Sequence, residues 1–246
     1  MNSLDIRVGI LGLGEIGKAL CSLYRDKGIK VYKKDLIKTD VGFKDLHVLN
    51  ICLPYTDDFV STVSEQINKT TPQLVIIHST TPVGTTRKIA NLHQCSIVHS
   101  PVIGSHPFIK KSLKTFVKFI GSDNNKATTL IRKHFKLLGL KCRVLGNYET
   151  TELAKLLCTT YYGLCIAWHG YMDHTCEKYN VDFNTLAHWN KNYNNGYNKL
   201  KLSKYTRPIL TPPVNGIGGH CVIPNAALLN KIAPSILIQE ILKYGK

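Results

Sequence analysis

Arg7-Val8-Gly9-Ile10-Leu11-Gly12-Leu13-Gly14-Glu15-Ile16-Gly17 is a buried-strand run that empties into Gly-x-Gly-x-x-Gly. In a strand-turn-helix, the first glycine makes the tight turn, the second lets the backbone approach a pyrophosphate, and the third lets the helix pack on the strand. Backbone N–H groups at the start of that helix then face the anion. The same spacing occurs in ordinary loops, so its context decides. A second short run, Ile29-Lys30-Val31-Tyr32, follows a helical segment and ends near Asp35. That places a carboxylate about 20 residues past the glycines, where it would accept hydrogen bonds from a ribose diol. The acid favours NAD over NADP, although Lys33 and Lys34 beside it leave some room for a 2′-phosphate.

Outward from this stretch, short apolar runs alternate with amphipathic ones as far as residue 146. The expected strands are Ile6–Leu11, Ile29–Tyr32, His47–Leu53, Gln73–His78, Ser96–His99, Phe116–Gly121 and Lys141–Leu145. The expected helices between them are Glu15–Lys27, Thr56–Lys69, Thr85–Leu92 and Asn124–Leu138. Such alternation predicts an α/β fold of Rossmann type, a doubly wound and mostly parallel sheet. After residue 146 the character changes to an all-helical second domain, which gives a division into 1–146 and 147–246. In the second part, Glu149–Glu177 reads as one long helix with apolar residues at helical spacing. Shorter helical pieces are expected at Phe183–Trp189 and Ala226–Tyr244, separated by an irregular Asn/Lys/Tyr-rich segment from Asn190 to Tyr205.

Sheets of this kind bind ligands beyond the carboxyl ends of their strands, in a cleft. Three strand ends carry a proline followed by small or polar residues: Leu53-Pro54-Tyr55-Thr56, His78-Ser79-Thr80-Thr81-Pro82-Val83-Gly84 and His99-Ser100-Pro101-Val102-Ile103-Gly104. Any one of these is ordinary turn chemistry. Three on the edge of the glycine turn suggest a wall of hydroxyls and backbone amides. In the helical part, Lys155 lies amid Leu153-Ala154-Lys155-Leu156-Leu157, where a lysine can also simply snorkel to water. Cys221 follows Gly216, Gly218 and Gly219 and stands beside His220. The glycines would let a ligand approach the thiol, which reads either as a reactive group or as a buried structural one.

Composition narrows the class. The 246 residues carry a formal net charge of +16, with lysines spread over nearly every segment and few arginines. No arginine cluster interleaved with aromatic residues is present, so nucleic acid is not an expected partner, whereas anionic small molecules suit the sign of the charge. The eight cysteines include no Cys-x-x-Cys pair, and several lie in apolar runs, which argues against a disulfide framework. His169, His174 and Cys176 do not share one helical face, so no metal site is expected. No stretch is apolar for long enough to span a bilayer, and the N-terminus leads into a strand with no signal-peptide pattern. The expected location is the cytoplasm, with no membrane partner.

Taken in order, Gly12-x-Gly14-x-x-Gly17 with Asp35, Ser79-Thr80-Thr81-Pro82-Val83-Gly84-Thr85-Thr86, His99-Ser100-Pro101, Glu152-Leu153-Ala154-Lys155-Leu156 and Gly218-Gly219-His220-Cys221 resemble the UDP-glucose/GDP-mannose dehydrogenase family. The resemblance implies an NAD-dependent oxidation of a sugar carbinol to a carboxylate in two hydride transfers. It makes Cys221 the nucleophile, Lys155 the cation that stabilises developing oxyanions, and Thr80 the hydroxyl near the nicotinamide. It implies cofactor contacts from Gly12, Gly14, Glu15, Ile16, Gly17, Asp35, Leu53, Pro54, Ser79 and Thr80. Substrate contacts are expected from Thr159, Arg207, Gly218, Gly219 and Asn225, and a homodimer through the long helix at 149–177.

Four positions depart from the family's pattern. Val102 and the candidate catalytic residue His106 stand where the family has glutamates, Thr159 where it has asparagine, and Asn225 where it has aspartate. The family's third domain, which grips the nucleotide of the sugar donor, has no counterpart after the helical part in these residues. Two alternatives follow. The β-hydroxyacid dehydrogenases share the two-domain build and a loop that Pro101-Val102-Ile103-Gly104 partly echoes. They need no cysteine and transfer one hydride. The other alternative is a non-catalytic NAD-binding relative.

Overall fold

The computed structural model describes residues 6–36 and 38–245. The chain forms two compact units, Met1–Lys155 and Leu156–Lys246, so the division falls inside a helix. The first unit runs β1 (Val8–Leu11), α1 (Glu15–Asp26), β2 (Val31–Lys34), β3 (Val48–Ile51), α2 (Phe59–Thr70), β4 (Leu74–Ile77), α3 (Thr85–Leu92), β5 (Ser96–His99), α4 (Ile109–Thr115), β6 (Lys118–Gly121), α5 (Asn125–Leu137) and β7 (Cys142–Gly146). It ends in the first turns of α6 (Tyr148–Lys178).

The seven strands lie in the order β2-β1-β3-β4-β5-β6-β7. The first five are parallel, β6 pairs antiparallel with β5, and β7 is parallel to β6. The expected α/β sheet is therefore present, mostly parallel and doubly wound. Strands β1, β3, β4 and β5 are buried along their whole length. That is why they read as continuous apolar runs rather than alternating ones. One core cluster joins Val8, Ile10, Leu20, Leu23 and Tyr24 to Leu113, Ile131 and Phe135, and a second joins Leu11, Leu49 and Ile51 to Phe59, Val63, Ile67 and Ile89. Helices thus cover both faces. The order of pairing reverses at β1, which has β2 on one side and β3 on the other, and this is the switch point at which such sheets open a crevice.

The start of α6 is built into this unit. A Cβ on Gly121 would strike the Thr151 side chain and lie 2.6 Å from Asn147 O. Arg87 of α3 holds Glu149 with two hydrogen bonds and Asp123 with a third, the latter at 2.6 Å.

The second unit continues α6 and adds α7 (Phe183–Lys199), a 3-10 turn at Ser203–Tyr205, α8 (Val222–Ile232) and α9 (Ile236–Leu242). Three local expectations are corrected. The segment expected to be irregular from Asn190 is helical to Lys199, because α7 is capped by Asp182 accepting from Thr185 N at 2.6 Å, although the helix buries no residue. The helix expected over Ala226–Tyr244 is two helices, broken where Pro234 cannot continue α8 and Ser235 caps α9. The stretch Ile109–Thr115, assigned no element from the sequence, forms α4, with Leu113 buried and Lys110 and Lys114 both paired to Asp26 of α1. Among the described residues no helix is long and apolar enough to cross a membrane.

Candidate active site

The turn after β1 divides its three glycines by what constrains them. Gly12 has φ +92°, and a Cβ there would lie 2.7 Å from Cys52 O at the end of β3. On Gly17, a Cβ would overlap Gly12 O, far inside van der Waals contact. The chain itself therefore demands these two. Gly14 is different: it has φ −65°, is exposed, and meets nothing within 4 Å of where a Cβ would stand. No part of this unit needs a glycine there, so the open space fits a ligand that approaches the backbone. Glu15 and Ile16 open α1 beside that space, and Glu15 bonds His106 Nδ1 at 2.6 Å.

Asp35 follows β2, with Oδ2 accepting from Leu13 N at 3.3 Å and Oδ1 from Leu36 N at 2.9 Å. The first contact ties the acid to the glycine turn. Each oxygen keeps a second lone pair for a ribose hydroxyl. These residues fit a dinucleotide cofactor.

At the next strand ends, Ser79 Oγ donates to Leu53 O at 2.6 Å, joining the loops after β3 and β4. Pro54 beyond it is exposed and Thr80 is half-buried. Below Ser79 lies His99, fully buried, with Nε2 at 3.0 Å from Ser79 O and Nδ1 at 2.8 Å from Thr151 Oγ1. Burial pulls its pKa down to about 4, so the ring is neutral. A neutral ring donates once, so Nε2–H goes to Ser79 O and Nδ1 accepts from the threonine hydroxyl. The loop carrying Thr80 is thus fixed by His99, which the sequence marked as a strand end and the start of the His99-Ser100-Pro101 motif but gave no partner.

Part of the expected hydroxyl wall faces inward instead. Glu152, on α6 and 0% exposed, accepts from Gly84 N at 2.7 Å, Thr86 N at 2.8 Å, Thr86 Oγ1 at 2.6 Å and Thr81 Oγ1 at 3.2 Å. Burial raises its pKa while these donors oppose the rise. Thr81, Gly84 and Thr86 therefore anchor α6 to the start of α3. One turn along α6, Lys155 Nζ donates to Val102 O at 2.9 Å, so this lysine points to the loop after β5. His106, further along that loop, is exposed.

In the second unit, Thr159 is half-buried on α6 and Asn225 is buried in the first turn of α8, its N–H donating to Cys221 O at 3.1 Å. Cys221 occupies the N-cap position of α8, where its free, exposed thiol makes no capping hydrogen bond. The alternative of a buried structural cysteine is overturned by that exposure. Gly218 and Gly219 before it meet nothing within 4 Å, and Gly219 has φ +85°. Gly216, Ile217 and Gly218 also line a cavity of about 410 Å³ with Tyr162, Ile166 and Thr211. Arg207 is exposed, its guanidinium 3.5 Å from the Tyr193 ring centroid, and its backbone bonds both ends of the Asn194 amide.

Comparisons with known proteins agree with the motifs. No family model matches the sequence. The UDP-N-acetyl-D-mannosamine dehydrogenase of Campylobacter jejuni is 25% identical over 324 aligned residues, covering 100% of this chain and 76% of that one. Other relatives of the same name are covered over 33–59% of their length. Among solved structures, the UDP-D-ManNAc dehydrogenase of Pyrococcus horikoshii superposes with a TM-score of 0.79 at 23% identity, covering 97% of this chain and 68% of that one. The 3-hydroxyisobutyrate dehydrogenase of Mycobacterium tuberculosis superposes with a TM-score of 0.72 at 16% identity, covering 97% and 92%. These structures share the fold. In the order of its motifs, its sequence and its architecture, the chain is similar to the nucleotide-sugar dehydrogenases.

Proposed function

We propose that this protein binds NAD and oxidises a CH–OH group of a sugar, a nucleotide sugar first of all, with UDP-N-acetyl-D-mannosamine the leading candidate on the names of its relatives. The observation that carries the reading is Cys221. A free, exposed thiol stands at the start of α8 behind two glycines with open space, in a chain whose first unit carries a dinucleotide loop. A single-step alcohol dehydrogenase has no use for such a thiol.

When bound at the Gly12–Gly17 turn, NAD supplies the hydride acceptor. Cys221 as thiolate adds to the carbonyl carbon of the first-formed aldehyde, making a C–S bond and an oxyanion. The Lys155 ammonium provides positive charge for that oxyanion, and the Thr80 hydroxyl orients the carbinol. Loss of a second hydride from the thiohemiacetal carbon, to a second NAD, would leave a thioester on Cys221, which water would cleave to the acid and the free thiol. Thr159, Arg207, Gly218, Gly219 and Asn225 are proposed to contact the sugar, and His106 to assist the water in place of a glutamate. The nucleotide-linked acid so formed suits polysaccharide assembly in the cytoplasm.

A homodimer belongs to the same reading. The second unit exposes Leu157, Tyr161, Trp168 and Leu237, and a groove of about 350 Å³ runs along Leu157, Thr160, Leu164 and Leu229. A second copy of the chain would cover this apolar face. Sedimentation velocity tests it, and a monomer at micromolar concentration would remove it.

A second reading is a single-step hydroxyacid dehydrogenase, a class represented among the neighbours in fold by the 3-hydroxyisobutyrate enzyme. The ratio of NADH formed to substrate consumed separates the two. Two per substrate, with loss of acid formation in Cys221→Ser, supports the thiol route. One per substrate, indifferent to thiol alkylation, supports the other.

A further inference from the structure

β6 carries a lysine into the interior of the sheet unit. Lys118 is 3% exposed, and among the described residues it has no ion pair with a carboxylate. A buried ammonium is costly unless every proton is engaged. Here three acceptors surround it: Ser100 O, Pro101 O at 2.9 Å, and His78 Nδ1 at 3.4 Å. The Phe135 ring closes the far side, its centroid 5.9 Å away.

The histidine is set to accept. Asn50 Nδ2 donates to Gly9 O and to Tyr24 Oη, both at 3.1 Å, which turns Asn50 Oδ1 toward His78 Nε2 at 3.0 Å. With the proton of a neutral His78 on Nε2, Nδ1 and Ser100 O, 3.1 Å apart, are both acceptors and share the Lys118 ammonium between them. Burial and the nearby lysine hold His78 well below its ordinary pKa, in agreement with a neutral ring.

The carbonyls gripped by Lys118 are those of residues 100 and 101, and the next one, Val102 O, accepts from Lys155 Nζ at 2.9 Å. Three successive carbonyls are thus held by two ammonium groups, one inside the sheet unit and one on α6. We propose that Lys118 is a positioning residue for Lys155: by fixing the Ser100 and Pro101 carbonyls it keeps Val102 O where Lys155 donates to it. The geometric claim stands by itself, and its catalytic consequence rests on the dehydrogenase reading. A buried leucine or methionine would pack the same space without holding the loop, which accounts for a lysine at this point of the strand.

Burial brings the Lys118 pKa down to about 7, with Cys52, His78, His99 and Lys155 the titratable groups around it. The clamp therefore loosens as pH rises through neutrality, when the ammonium loses a proton and one of its three donors. The test uses the full chain in three forms, wild type, Lys118→Met and Lys118→Arg. The amide signals of residues 102–104 and the Cε signal of Lys155 are followed by NMR across neutral pH without substrate. We expect wild-type signals that move with one midpoint near 7, a Lys118→Met protein that lacks the step, and a Lys118→Arg protein that keeps the low-pH positions throughout. In turnover, Lys118→Met loses about 10-fold or more in kcat, while KM for NAD changes by less than about twofold. Loop and Lys155 signals that ignore both pH and the Met substitution would overturn the proposal. So would a Lys118→Met enzyme with wild-type kcat. Should Lys118→Met fail to fold, the wild-type titration decides alone. If the signals behave as expected but wild type oxidises no sugar, the clamp stands and the dehydrogenase reading falls.

Discussion

Replacing Gly14 and Gly17 separately by alanine distinguishes a glycine kept for a ligand from one kept for the fold. At Gly17 the new methyl overlaps the carbonyl oxygen of Gly12, a backbone atom that has no rotamer to yield. Helix α1 must shift off β1, an overpacking cost of about 2–3 kcal/mol, which lowers Tm by roughly 5–10 °C. At Gly14 the methyl meets nothing within 4 Å, and φ −65° suits alanine. Loss of unfolded-state freedom stabilises by about 0.4–1 kcal/mol, and the poorer fit of alanine at a helix N-cap removes a similar amount. Stability should therefore stay within about 1 kcal/mol of wild type. NAD affinity should not: the methyl fills the space where the backbone would meet a pyrophosphate, and a loss of about 10-fold or more in Kd corresponds to about 1.4 kcal/mol. Thermal unfolding and isothermal titration with NAD on the two variants provide both numbers. A Gly14→Ala protein that binds NAD like wild type, or one that unfolds as early as Gly17→Ala, would refute the reasoning.

Other outcomes follow from buried groups. His99 and His134 are both held by burial at about 4, below the usual 6.5. Their unfolded forms take up protons first on acidification, so stability present above pH 6.5 is lost toward pH 4, by up to about 3 kcal/mol for each ring. Urea denaturation from pH 7 to pH 4 should show this slope, and it should shrink in His134→Gln. Glu152→Gln leaves an amide N–H₂ facing either Gly84 N–H or the Thr86 donors, since all four contacts need acceptors. A loss of about 2–4 kcal/mol is expected by chemical denaturation, and a neutral effect would show that the carboxylate is not what anchors α6 to α3.

Much of the first unit was legible because its signals are local. The run Val8–Leu11 is buried at every residue, so its apolar continuity announces a parallel strand, and Gly17 in the turn that follows is dictated by the neighbouring Gly12 carbonyl and Ile10. Helix α7 was truncated at Trp189 because Asn190–Lys199 has no apolar face, and the structure buries none of its residues. Helix α4 is seven residues long, too short to show a period. The roles of Glu152, His99 and Lys118 are tertiary: a glutamate in a helical motif, a histidine closing a strand and a lysine within Val117-Lys118-Phe119-Ile120 show their partners only when distant loops are folded. The lysine inside an apolar strand was the one visible hint. At Cys221 the sequence left the thiol's exposure open, and the fold settles it, because the glycines ahead of the cysteine have nothing packed on them.

The most direct trial of the thiol-dependent oxidation is a count of NADH released per molecule of UDP-N-acetyl-D-mannosamine consumed by purified protein, repeated with Cys221→Ser. The account predicts two NADH and a sugar acid for wild type, and no acid for the serine variant. A wild-type protein that binds NAD yet forms no NADH with this or any other nucleotide sugar, or a serine variant that makes the acid at the wild-type rate, would contradict it.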